Sequence, residues 1–159
     1  PDVIAQLQNE GNLPAVGDTL ELRAVYSEFF DYSELTLANA VDIAIIDDNS
    51  IFRFILTEGL RERWPNALFS QSDSVEAFLQ RPVVPRLVIM DLFRPEVLRR
   101  IRGVRVVATA REAPVLVWSN EAVGQRVRAA LKAGAAMVLN KDTPMEELLD
   151  AVAKLGNFG

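Results

Sequence analysis

The sequence predicts an α/β protein built around a five-stranded parallel sheet, and two observations predict it. From Asp42 onward, apolar runs of strand length alternate with amphipathic stretches of helix length, the pattern of repeated βα units. Four of the runs also stop at charged or hydroxyl-bearing residues. The run 41–46 ends at Asp47-Asp48, 87–90 at Asp91, 114–118 at Ser119 and 136–140 at Lys141. Parallel strands bring such residues to one carboxyl edge, where open α/β sheets bind ligands.

In chain order, the strands are expected near 42–46, 67–70, 86–90, 114–118 and 136–139. Ser50 is the expected N-cap of the first helix. Ile51, Phe54-Ile55, Glu58 and Leu60-Arg61 then keep helical spacing to Trp64, and Pro65-Asn66 closes it. A shorter helix follows Asp73 with Val75, Phe78 and Leu79 inward. Between the third and fourth strands, Val97, Ile101, Val104 and Ala108 hold helical phase. Gly103 costs about 1 kcal/mol in mid-helix, and Val104-Val107 also reads as extended chain. The next helix spans about Glu121 to Lys132, ended by Gly134. The last opens with Thr143 as cap, Pro144 in the first turn and Glu146-Glu147 at the positive end of the dipole.

Residues 1–40 break the alternation. Gly11-Asn12-Leu13-Pro14 and Gly17-Asp18 are breakers, while Leu22, Val25-Tyr26 and Phe29-Phe30 recur at the spacing of an amphipathic helix with an aromatic face. That face either packs on its own domain, makes a dimer contact or continues an upstream helix. The division expected is an N-terminal helical extension, 1–40, and a second unit, 41–159.

Composition narrows the function. A net charge of −5 argues against a nucleic-acid-binding surface. The chain has no Cys and no His, which removes thiolate chemistry, the usual transition-metal ligands and the usual general base. No apolar stretch approaches the roughly 20 residues of a membrane span, and no signal-peptide pattern opens the sequence, so the expected location is cytoplasmic.

Three carboxylates, Asp47, Asp48 and Asp91, are expected to gather at adjacent strand ends. At ~4 Å and an effective dielectric near 20, each like-charge pair costs about 4 kcal/mol. One of them must protonate, or a cation must sit among them. Oxygen ligands without His or Cys favour Mg²⁺, commonly completed by a phosphate oxygen. Lys141 offers a point charge suited to a phosphoryl oxygen, and Ser119 a hydroxyl donor.

These residues carry a family resemblance. From about Val41 to Leu155 the chain resembles the receiver domain of two-component response regulators. The match consists of Asp47-Asp48-Asn49-Ser50-Ile51-Phe52-Arg53, then Asp91-Leu92-Phe93-Arg94-Pro95, then Ser119 and Lys141, separated by 28 residues from Asp91 to Ser119 and 22 from Ser119 to Lys141. The segment 133–144, with Glu146-Glu147-Leu148, is most similar to the NarL/LuxR-type branch. The resemblance implies a doubly wound, flavodoxin-like fold with strand order 2-1-3-4-5, the order given for this fold in general. It implies that Asp91 is the phospho-acceptor. Asp48 would bind Mg²⁺ directly, Asp47 directly or through water, and the Phe93 backbone carbonyl would complete the ligands. Lys141 and Ser119 would hold the phosphoryl oxygens. The implied partners are a sensor histidine kinase or phosphotransfer protein and a second copy of the chain on activation. DNA would be reached only through an output domain outside these residues, and the resemblance implies no membrane partner.

Three positions depart from the family pattern. Val138 stands where an aromatic commonly precedes the lysine by three residues, Asn120 replaces a small residue, and Arg94 lies within reach of the pocket. Trp118 is expected to pack within the sheet. The functional expectation is a phosphorylatable switch that catalyses only its own phosphorylation and dephosphorylation and controls an output such as transcription. Two alternatives stand beside it. One is a phosphorylation-independent interaction module. The other is a Mg²⁺-dependent aspartyl-phosphate phosphohydrolase, against which stands the absence of an Asp-x-Asp pair at Asp91 and of a cap-sized insertion.

Overall fold

A computed structural model of the chain describes residues 40–92, 103–105, 107–108, 112–120 and 122–159. The expectations for residues 1–39, for Phe93 and Arg94 and for Val97 and Ile101 lie outside the described residues. Strands β1 (Ala40–Ile46), β2 (Phe69–Ser72), β3 (Val84–Met90), β4 (Val115–Ser119) and β5 (Met137–Asn140) form one sheet. All pairings are parallel, in the order β2-β1-β3-β4-β5. Helices α1 (Ser50–Arg63), α2 (Val75–Leu79), α3 (Gly124–Lys132) and α4 (Met145–Gly156) connect and cover it.

The two-residue period of the strands sorts the core into two layers. Ile43, Ile45, Leu87, Ile89, Leu116 and Trp118 pack with Leu56 and Leu60 of α1 and Leu148, Leu149 and Val152 of α4. Their immediate neighbours Ala44, Ile46, Val88, Met90, Val115 and Val117 pack with Val75, Phe78 and Leu79 of α2 and Ala130 of α3. Both faces are therefore apolar, which is why these strands read as continuous hydrophobic runs. The two layers make the sheet doubly wound, the flavodoxin-like arrangement.

Several boundaries differ from the sequence expectation. β2 lies at 69–72 rather than 67–70. Leu68 is exposed, while Ser70 and Ser72 are buried, so the small serines take the inward positions on this edge strand. Asn49, not Ser50, caps α1; its side chain accepts from the backbone N–H groups of Ile51 and Phe52. Thr143 does not cap α4. The cap position is Pro144, with no side-chain bond, and the preceding turn is closed by Asn140, whose side chain accepts from Asp142 N–H. Helix α3 starts at Gly124, whose positive φ of 49° sets the entry. The extended alternative is overturned at the described residues of that stretch: Gly103, Val104, Arg105, Val107 and Ala108 are helical, with Val104 and Val107 fully buried. Gly103 belongs there because a Cβ would stand 3.1 Å from Val75 Cγ2.

Candidate functional site

The strand register brings the expected residues to one edge. Ile46 pairs with Met90, and Met90 with Val117, so Asp47 and Asp91 leave neighbouring strands side by side. Backbone bonds hold both in place. Asp47 N–H donates to Ser72 C=O, and Asp91 N–H donates to Ile46 C=O, each at 3.0 Å.

Asp47 is buried and fixed at every atom that can be fixed. Its Oδ1 accepts from Asn49 N–H at 2.9 Å, and its backbone carbonyl accepts from the Arg53 guanidinium. Arg53 is one turn into α1, where its own carbonyl accepts from the Thr57 hydroxyl at 2.7 Å. Asn49 thus serves the loop twice, through its backbone N–H to the carboxylate and through its side chain to the helix start. Asp48 is exposed beside it. Asp91 keeps 12% of its side chain accessible, and its Oδ1 accepts from Leu92 N–H at 2.9 Å.

Lys141 reaches into this group from the loop after β5. Its Nζ lies 2.6 Å from Asp47 Oδ2 and 3.3 Å from Asp91 Oδ2, with 3% of its side chain exposed. Asp47, Asp48 and Asp91 each offer a carboxylate oxygen, all within 4.8 Å of one another. One ammonium against three carboxylates leaves an excess of negative charge, and the donors are all hard oxygens. That set fits a divalent cation of the Mg²⁺ or Ca²⁺ type. Burial pushes the Asp47 carboxyl above the usual carboxylate range, against the hydrogen bonds from Lys141 and Asn49 that favour its charged form.

Ser119, the last residue of β4, is fully buried and paired in register with Asn140; its carbonyl accepts from Lys141 N–H at 3.3 Å. Asn120 is an exposed turn residue. Val138 packs into the layer under α2 and α3. Trp118 packs in the opposite layer, as expected.

Sequence reasoning gave Phe52 no role, yet the Lys141 ammonium stands 3.8 Å from its ring centroid and 5.3 Å from that of Trp118. The two rings meet edge to face, 5.8 Å apart. Phe52 lies within the segment that carries the resemblance, three residues past the Asn49 cap and so in the first turn of α1. That spacing was the available signal.

Among the described residues, no helix is long and apolar enough to cross a membrane. No protein-family model and no curated protein sequence matches the chain. Solved structures do. The signal receiver domain of the response regulator NarL from Mycobacterium tuberculosis superposes with a TM-score of 0.61 at 24% identity, covering 75% of this chain and 98% of that one. A response regulator from Burkholderia pseudomallei, solved with a phosphorylated aspartic acid, a calcium ion and citrate, gives 0.60 at 23% identity, over 74% of this chain and 69% of that one. The receiver domain of NtrX from Brucella abortus gives 0.59 at 19% identity, over 74% and 100%. The fold of this chain is that of the response-regulator receiver domain.

Proposed function

We propose that residues 41–159 act as a phospho-accepting receiver, with Asp91 as the acceptor. The single observation that carries this reading is the setting of Asp91. Its partly accessible carboxylate stands 3.3 Å from a buried ammonium and beside two further carboxylates able to chelate a divalent cation. The B. pseudomallei relative, described with a phosphorylated aspartic acid and a calcium ion, supports the same chemistry at a site of this fold.

In the proposed step, an Asp91 carboxylate oxygen attacks phosphorus, forming an acyl phosphate as the donor's P–N bond breaks and its imidazole leaves. The chain has no His, so the donor is the phosphohistidine of a sensor kinase or phosphotransfer protein, or a small phosphodonor. Asp47, Asp48 and Asp91, with the Phe93 carbonyl, would hold Mg²⁺, and the ion would supply positive charge to offset that on the phosphoryl oxygens. Lys141, paired with Asp47 and Asp91, would supply a second positive charge to the phosphoryl oxygens, and Ser119 a hydroxyl donor. The product carries about two negative charges where there was one. That change beside Ser119 biases the β4–α3 loop and the surface formed by α3, β5 and α4. The output is a switch, such as dimerisation that drives transcription through a DNA-binding partner domain, in the cytoplasm. Val138 in place of an aromatic means that the switch does not run through ring rotation at that position.

Incubation with acetyl phosphate and Mg²⁺, read by intact-mass spectrometry, tests the reading. One phosphate on the wild type and none on Asp91→Asn is expected. Stoichiometric incorporation into Asp91→Asn would reject the assignment. Equal, unchanged oligomeric state with and without beryllium fluoride would favour a phosphorylation-independent module, and rapid multiple turnover of a phosphomonoester would favour a phosphohydrolase.

A further inference from the structure

Resting on the receiver reading, we propose that Phe52 and Trp118 are positioning residues for Lys141, holding its ammonium over the gap between Asp47 and Asp91. The ammonium is withdrawn from water; it donates to Asp47 Oδ2 at 2.6 Å and pairs with Asp91 Oδ2 at 3.3 Å. Ring faces of Phe52 at 3.8 Å and Trp118 at 5.3 Å flank it, both within the range of cation–π attraction.

Both rings stand on fixed elements. Phe52 is in the first turn of α1, where its own backbone N–H is bound by the Asn49 cap. Trp118 is the penultimate residue of β4, 4% exposed and packed in the core. The choice of tryptophan is informative. Its indole N–H is buried and finds no hydrogen-bond partner among the described residues, a cost that phenylalanine in the same layer would avoid. Indole is also the ring with the strongest cation–π attraction, so the larger and less comfortable side chain has a use at this place. A cation held partly by ring faces keeps N–H donors free to turn from Asp47 toward an arriving phosphoryl group. A lysine held by carboxylates alone would have to give those bonds up.

The test compares Phe52→Leu, which keeps an apolar contact and removes the ring, with Phe52→Tyr, which keeps the ring. With acetyl phosphate and Mg²⁺, Phe52→Leu is expected to slow Asp91 phosphorylation roughly 2- to 30-fold, the span of one such interaction. Its Mg²⁺ affinity stays at the wild-type value, and Phe52→Tyr recovers the rate. In the wild type, the Lys141 ε-methylene proton resonances are expected upfield of ordinary lysine from the ring currents, and to move back in Phe52→Leu. Wild-type rates in Phe52→Leu, or ordinary Lys141 resonances in the wild type, would overturn the proposal while leaving the receiver reading intact. The wild-type spectrum decides the matter even where the leucine variant fails to fold. A wild type that takes up no phosphate would instead reject the receiver reading, with the ring-current shift still deciding whether the rings hold the ammonium.

Discussion

Asp47 Oδ2 and Lys141 Nζ stand 2.6 Å apart across 94 residues of sequence, each side chain 3% exposed. A pair so far from water is costly to break from one side, because the carboxylate left behind is out of solvent and keeps only the Asn49 N–H. Lys141→Met is therefore expected to lower unfolding free energy by about 3 kcal/mol, read from urea denaturation without divalent ions. Added Mg²⁺ is expected to bind the variant and recover part of that loss. A loss under about 1 kcal/mol would put the pair in the class of exposed ion pairs.

Burial raises the Asp47 carboxyl above its ordinary value of 3.8. Between the unfolded value and the raised folded value, the native state binds more protons than the unfolded state, so stability falls as pH rises. Asp47 thus favours the folded state fully below pH ~3.8, and that contribution is lost as pH climbs through the folded value. In metal-free buffer, wild-type stability relative to Asp47→Asn is expected to decline on going from pH ~4 upward. Parallel pH profiles for the two proteins would contradict this.

Asp48 is exposed, with its carboxylate among the three that approach one another. Asp48→Asn is expected to change folding stability by no more than about 0.5 kcal/mol. Removing one ligand charge is expected to weaken Mg²⁺ binding roughly tenfold or more, about 1.4 kcal/mol. Isothermal titration beside a melting curve separates the two effects, and unchanged affinity would remove Asp48 from the ligand set.

The cap of α1 gives a sharp local contrast. Asn49→Ala strips two backbone N–H groups of their acceptor and is expected to cost about 1 kcal/mol. Ser50→Ala, one residue on and inside the helix, is expected to be near neutral. Equal losses for the two, read from chemical denaturation, would reassign the cap.

Much of this architecture could be read from residues alone, and the exceptions have physical causes. The apolar runs of β1, β3 and β4 are unmistakable because both their faces are covered. β2 hid because an edge strand uses Ser70 and Ser72 inside and leaves Leu68 outside, inverting the usual pattern. Asn49 and Ser50 are both competent caps, and backbone geometry alone chooses between them. The gathering of Asp47, Asp48, Asp91 and Lys141 followed from strand ends and parallel pairing. The ring faces around Lys141 did not, since a Phe on a helix and a Trp in a strand read as core until a cation is seen against them.

Strand β4 has no exposed residue: all five positions from Val115 to Ser119 are buried, two facing one helical layer and two the other. A segment enclosed this way tolerates little chemical variety, because each substitution meets a packed neighbour whichever way it points. Substitutions in this strand are thereby expected to be far more costly than substitutions in the turns beyond the strand tips, where side chains have room to change.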